Sequence, residues 1–472
     1  MAGIGFVLRK LASQDNFSGI LRAYIHASVA AVGPWILIVL VIGIILTFSS
    51  NSTMSLEELN EFLSVFIYNL CFSFMLAGPL YMLSARYVSD CLYMRDLAPI
   101  PGIMVITLLY LVIPAALLAT FVYVYFATMT PLTTLLSIIN FTLFCQIWVT
   151  MLYLAMIRDF RAITFSWVVG MLLAVILALY LGGSYRTDGI LAGINVGLCL
   201  LVSSLTAHTL AEHPYRYQKP KNFPFYARFY RGVYWGGFFL FASMWVDKVI
   251  MWNAPEAVKH INSLVTYPVY DGGMFLSYLS IVPVMGLFIF NLETNFYDSY
   301  IQYIRYIETN TPLFLLEEER KTIIAKILED ARSFLVLQGV ITLLVVIFAP
   351  AIYDWLNQDF RQLSIFRLGA VGAFFSSLCF FIVVIFTYFD SQENSLKVTM
   401  TMFFSNVVFS YISLYLGFPF YGYGFCFAMI FSFFVAATLF MNFLQNLHYH
   451  IFISNTVKRQ KIRERFLHRP GL

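Results

Sequence analysis

The sequence predicts an all-α polytopic membrane protein with about twelve transmembrane helices in two six-helix lobes. Three observations predict it. First, 60% of the 472 residues are hydrophobic and only 11% are charged. The apolar residues come in repeated runs of about 20, the length that crosses a bilayer core. Second, the basic residues divide by side. With both ends in the cytoplasm, the outward loops hold only Arg186, Lys259, Arg361 and Arg367, and the membrane holds Lys248. The other 24 of the 29 Lys and Arg then face inward. That is the positive-inside pattern, and an odd miscount of spans before the middle would destroy it. Third, the halves echo each other. LYLAMIRDFRAITFSW (152–167) resembles FTYFDSQENSLKVTMT (386–401), and Asp188-Gly189 matches Gly422-Tyr423-Gly424. Parallel six-span repeats are a recurring transporter plan, with a site between the halves.

The elements follow in order. Residues 1–27 are polar and amphipathic and read as a surface helix. They lack the small-residue site that ends a cleaved leader. Spans are expected at about 28–48, 62–85, 102–127, 132–157, 163–182 and 189–210. A second set is expected at about 233–253, 264–291, 333–353, 363–389, 397–416 and 421–445. The domains are therefore an N-terminal lobe at 1–210, a linker at 211–232, a C-terminal lobe at 233–445 and a basic tail at 446–472. Two inward segments are longer than turns. Residues 211–232 mix Pro, Tyr and basic residues. Residues 292–332 end in LLEEERKTIIAKILEDAR, a charged helical pattern with mixed i,i+4 pairs. Either is a solvated extension or a docking surface for a cytoplasmic partner, and Glu317, Glu318 and Glu319 are the docking candidates.

Few residues offer chemistry. The six cysteines show no C-x-x-C spacing and read as small core residues. There is no H-E-x-x-H, no phosphate-binding glycine loop and no nucleophile elbow. No metal or other cofactor is expected, and direct ATP use has no motif to support it. Asp247, Lys248 and Asp271 are the exception. Ionisable groups at membrane depth are expensive to desolvate, so they pair or face a cavity. Asp247 lies six residues before the seventh span exits and Asp271 seven after the eighth begins. Both therefore sit roughly 10 Å below the outer surface. The three are the candidate substrate path. The alternative is that Lys248 snorkels outward beside Trp252. Arg86 and Asp90, an i,i+4 pair ending the second span, with Glu293 and Asp298 ending the eighth, are the candidate inner gate. The plain alternative is an interfacial salt bridge. Glu57, Glu58 and Glu61, in the first outward loop, are the acids that an enzyme of lipid-linked sugars would use.

Four stretches carry a resemblance: MAGIGFVLRKL, RAYIHASVAAVGPWIL, AGPLYMLSARYVSDCLY and YPVYDGGMFLSYLSIVPVMGLFIFNLETNFYDSY. Through them the chain resembles the PelG family, the inner-membrane component of Pel exopolysaccharide secretion. Val7 departs from it, where that family is expected to carry an acid. The resemblance implies a fold like the multidrug/oligosaccharidyl-lipid/polysaccharide flippases, with two lobes around a central cavity. It implies a transporter and not an enzyme, located in the bacterial cytoplasmic membrane, that moves a polymer rich in N-acetylgalactosamine. It also implies a cytoplasmic glycosyltransferase and small membrane scaffold proteins as partners, one of them a cyclic di-GMP receptor, and no nucleic acid. A membrane glycosyltransferase or polymerase, or a scaffold that only recruits the glycosyltransferase, are the alternatives.

Overall fold

The structure is a computed structural model. It describes residues 17–50, 54–94, 96–157, 159–214, 223–291, 297–309, 311–356 and 359–450. The opening decapeptide with Val7, part of the linker, Glu293 and the basic tail beyond residue 450 lie outside the described residues.

Among the described residues, twelve apolar passes follow the expected order. The first four are Phe17–Ser50, Leu56–Met94, Ile100–Tyr125 and Pro131–Ile157. The fifth and sixth share one stretch, Phe160–Glu212, which reverses at Arg186 (φ 53°, ψ −130°). Its arms run back against each other so closely that a Cβ on Gly193 would overlap the Ala178 backbone nitrogen. Only glycine permits that approach. The ninth to twelfth passes are Leu313–Trp355, Leu363–Tyr388, Gln392–Leu416 and Tyr423–Gln445. Leu313–Trp355 is one continuous helix, so the charged pattern at 313–332 extends the ninth span. Tyr297–Glu308 packs against it as the other arm of a hairpin.

The seventh and eighth passes are broken. The seventh is Arg231–Ser243 and Val246–Met251, interrupted at Met244-Trp245. The eighth is Pro268–Leu279 and Val282–Asn291, interrupted at Ser280-Ile281. Discontinuous helices in transporters free backbone groups where ligands bind. The eighth pass begins at Pro268 rather than near 264. Proline suits the first helical turn, and Val265-Thr266 is taken by a short antiparallel hairpin that pairs Val258 with Thr266 and Lys259 with Val265.

Two hydrophobic cores define the lobes. One draws its buried side chains from the first six spans and the linker helix Phe223–Phe229, the other from the seventh to the twelfth and the helix Tyr297–Glu308 before the ninth. Each takes a residue from the other lobe. Leu264 of the hairpin joins the first core, and Cys71 of the second span joins the second. The second span is therefore the wall that both lobes share. Inside the first lobe, Asn69 donates to Asn140 Oδ1 (2.9 Å), Asn140 to Asn195 Oδ1 (2.8 Å), and Tyr123 to Asn69 Oδ1 (2.6 Å). That amide chain satisfies polar groups that lipid cannot.

Candidate functional site at the lobe boundary

The break in the seventh span builds the charged site. Helix Arg231–Ser243 ends with carbonyls that lack intrahelical donors. Lys248 Nζ satisfies the carbonyl just past the end of that helix, donating to Met244 O at 2.9 Å. The same ammonium lies 3.3 Å from Asp247 Oδ2, and it sits over the rings of Tyr278 (4.9 Å) and Trp245 (5.5 Å). Both side chains are buried, Asp247 at 0% and Lys248 at 7% exposure. Lys248 does not snorkel. Carboxylate, carbonyl and two aromatic faces compensate its desolvation.

The eighth span adds the second half. Tyr270 donates its hydroxyl to Asp247 Oδ2 at 3.1 Å. Asp271, next to it, accepts from Trp252 Nε1 (3.1 Å) and from the Tyr267 backbone N–H (3.2 Å), which caps the new helix. Its Oδ1 is buried without a partner. Asp247 and Lys248 therefore form a direct pair, while Asp271 is held beside them by Trp252. The second span closes the site from the other lobe. The Tyr68 ring stacks on Trp252 with centroids 4.5 Å apart.

Two clasps join the lobes beyond this site. At the hairpin end, Asn262 donates to Ser64 Oγ (2.8 Å). Thr128 donates to Ile261 O (3.0 Å) and lies 2.9 Å from Ser263 Oγ. Tyr68 donates to Val265 O at 2.8 Å. His260 bonds to Thr266 through Nε2 (2.7 Å), and burial lowers its pKa from the ordinary histidine value. At the opposite, linker end, Arg86 reaches Asp390 with both nitrogens (3.3 and 3.4 Å) and Asp90 at 3.2 Å. Tyr226, on the helix Phe223–Phe229, donates to Asp90 at 2.7 Å, and Arg86 lies over the Tyr230 ring at 5.2 Å.

The other candidate residues fall as follows. Arg86 and Asp90 meet Asp390, from the turn between the tenth and eleventh spans, where Glu293 and Asp298 of the eighth were expected. Glu293 lies outside the described residues. Asp298 is in the helix Tyr297–Glu308, and its side chain lies outside them. Glu317 and Glu318 are exposed and Glu319 half-buried on the long helix Leu313–Trp355. The linker helix packs Phe223 and Tyr226 against Tyr87. Glu57, Glu58 and Glu61 lie in the first turns of the helix Leu56–Met94 rather than in the loop before it, where Glu58 forms a capping box with Ser55 (3.0 and 3.3 Å) and an ion pair with Arg186. Glu61 offers its backbone carbonyl to Asn262. Among the described residues no three His, Cys, Asp or Glu side chains group to hold a metal.

Sequence reasoning missed Tyr270, Tyr68, Asn262, Asp390 and Tyr226. Asp390 had a usable signal, because it lies in the short polar turn of the second repeat, between the tenth and eleventh spans, as Asp159 lies between the fourth and fifth. Asp159 caps the fifth span by accepting from Ala162 N at 3.0 Å. Asp390, at φ 57°, is turned instead toward the other lobe.

The comparisons agree with this architecture. The PelG family model, described as "Putative exopolysaccharide Exporter (EPS-E)", matches residues 1–452. No curated protein matches the chain. Among solved structures, an outward-facing multidrug resistance MATE family transporter of the MOP superfamily superposes with a TM-score of 0.65 at 12% identity, covering 90% of this chain and 96% of that one. A MOP superfamily transporter from Pyrococcus furiosus gives 0.62 at 13% identity, covering 89% and 96%. An inward-facing MATE transporter gives 0.56 at 13% identity, covering 94% and 96%. These likenesses establish a two-lobe, twelve-helix transporter fold.

Proposed function

Because the chain belongs to the PelG family of exopolysaccharide exporters, we propose that it carries a Pel-like, N-acetylgalactosamine-rich polymer across the bacterial cytoplasmic membrane between its two lobes. In this reading the hairpin end faces outward and the linker end and both termini face the cytoplasm, the orientation that the placement of the basic residues favours. The observation that carries the path is the buried Asp247–Lys248–Tyr270 set. It lies with Asp271 where two broken helices meet the second span. Polar groups at such a place are functional candidates rather than lipid anchors. Stacked rings such as Tyr68 and Trp252 suit sugar faces once the lobes part.

A cytoplasmic glycosyltransferase is the proposed supplier of polymer. It and the small scaffold proteins would dock on the hairpin Tyr297–Glu308 with the first turns of Leu313–Trp355, where Glu317 and Glu318 are exposed. The enzyme reading has less support, since Glu58 is engaged by Ser55 and Arg186. The test is export of polymer by Asp247→Asn and Asp271→Asn proteins that insert normally. Reduced export supports the path. Normal export from both moves it elsewhere.

A further inference from the structure

The second span touches the opposite lobe at three levels. Ser64 meets Asn262 at the hairpin end, and Arg86 meets Asp390 at the linker end. Between them Gly78 meets Gly237 of the seventh span. A Cβ on Gly78 would lie 2.8 Å from the Gly237 carbonyl oxygen, and one on Gly237 would overlap the Gly78 carbonyl. Here main chain rests on main chain. Gly78 is about 21 Å along the helix from Ser64 and about 12 Å from Arg86. The midpoint is thus shut as firmly as the two ends, and no sugar ring fits between touching backbones.

This arrangement bears on how the lobes move. Rocking transporters open one side while closing the other, around a fixed central region. A lobe pivoting on Gly78–Gly237 would never part that contact. Such a motion serves a solute small enough to be held whole at the centre. A polymer longer than the membrane is thick occupies all three levels at once. We propose that the three contacts release together, so that the lobes separate along the second span and both ends stand open during export. This rests on the reading that the polymer passes between the lobes. Two glycines suit the role. They let the backbones close tightly, with the Phe241 ring of the seventh span laid over Gly78.

The test locks one end and reads the other. Thr128 and Ser263 place their hydroxyls 2.9 Å apart, so Thr128→Cys with Ser263→Cys brings two sulfurs within disulfide reach. Met82→Cys is the reporter, since Met82 Cγ lies 3.0 Å from the place of a Cβ on Gly237. In full-length protein lacking the six native cysteines, a membrane-impermeant maleimide is added from the linker side in inverted vesicles. Joint release predicts that oxidising the pair lowers labelling at position 82 by roughly threefold or more, with export lost and then regained on reduction. Rocking predicts increased labelling, because holding the hairpin end shut favours opening of the other. An increase, or no change, overturns the proposal. Normal export through the oxidised protein overturns the underlying reading that the polymer uses this path, whichever way labelling moves.

Discussion

Asp390 grips Arg86 from the opposite lobe with both carboxylate oxygens, at 3.3 and 3.4 Å. The two residues are 304 positions apart in sequence. They bind the end of the second span to the turn between the tenth and eleventh.

The Arg86–Asp390 contact predicts an Arg86→Lys effect. A lysine keeps the charge but loses the planar fork that reaches Asp390 and Asp90 together. The expected loss is about 2 kcal/mol of stability, as for a hydrogen bond between charged groups. Thermal unfolding in detergent measures it. A midpoint equal to wild type would mean that the pair holds nothing.

Lys248→Met should be more damaging. It leaves Asp247 buried with only the Tyr270 hydroxyl, and it frees the Met244 carbonyl at the helix break. Removing one partner of a buried pair costs about 3–5 kcal/mol. Lower insertion yield and earlier unfolding are expected. The double variant Asp247→Asn, Lys248→Met should recover much of the loss, because no charge remains stranded. Absence of that recovery would show that Lys248 serves the break rather than the carboxylate.

The acids at the start of the second span separate transport from enzymology. Replacing Glu57, Glu58 and Glu61 together with Gln should leave polymer synthesis intact. Its main effect should be about 1 kcal/mol or less of stability, from the weakened capping box at Glu58. Abolished synthesis in a correctly inserted protein with active partners would favour the enzyme.

The hairpin-end clasp should weaken in acid. Burial lowers the His260 pKa in the folded state, so the fold favours neutral imidazole. Its contribution is complete above the ordinary histidine value of about 6.5 and fades as pH falls below it. Disulfide formation between Thr128→Cys and Ser263→Cys should therefore slow between about pH 7 and pH 5.5, beyond the chemical slowing seen in a peptide thiol. His260→Gln should abolish that extra slowing.

Much of the architecture was readable because it depends on counts and sides. Apolar run length and the placement of Lys and Arg are properties of single segments. They located the fifth and sixth spans on either side of Arg186 and the twelfth at about 421, two residues before its helix begins at Tyr423. The charged trio was readable for a similar reason, since desolvation marks Asp247, Lys248 and Asp271 wherever the chain places them. Partner identity was not. Asp390 and Asn262 act across the lobe boundary, and nothing in their own neighbourhoods specifies Arg86 or Ser64. The start of the eighth span was misplaced because Val265-Thr266 is apolar enough to look helical, while its hydrogen bonds go to a strand.

The helix Leu313–Trp355 has 43 residues, about 64 Å of continuous rod. The bilayer core accounts for about 30 Å of it. The remaining half is a lever rigidly attached to the C-terminal lobe. A tilt of about 10° at the membrane sweeps its far end, Leu313 and Phe314, through roughly 6 Å. Both side chains are exposed there, at 70% and 67%. Any protein held at that tip would feel the lobes part as a displacement, and by pushing on it would help to part them.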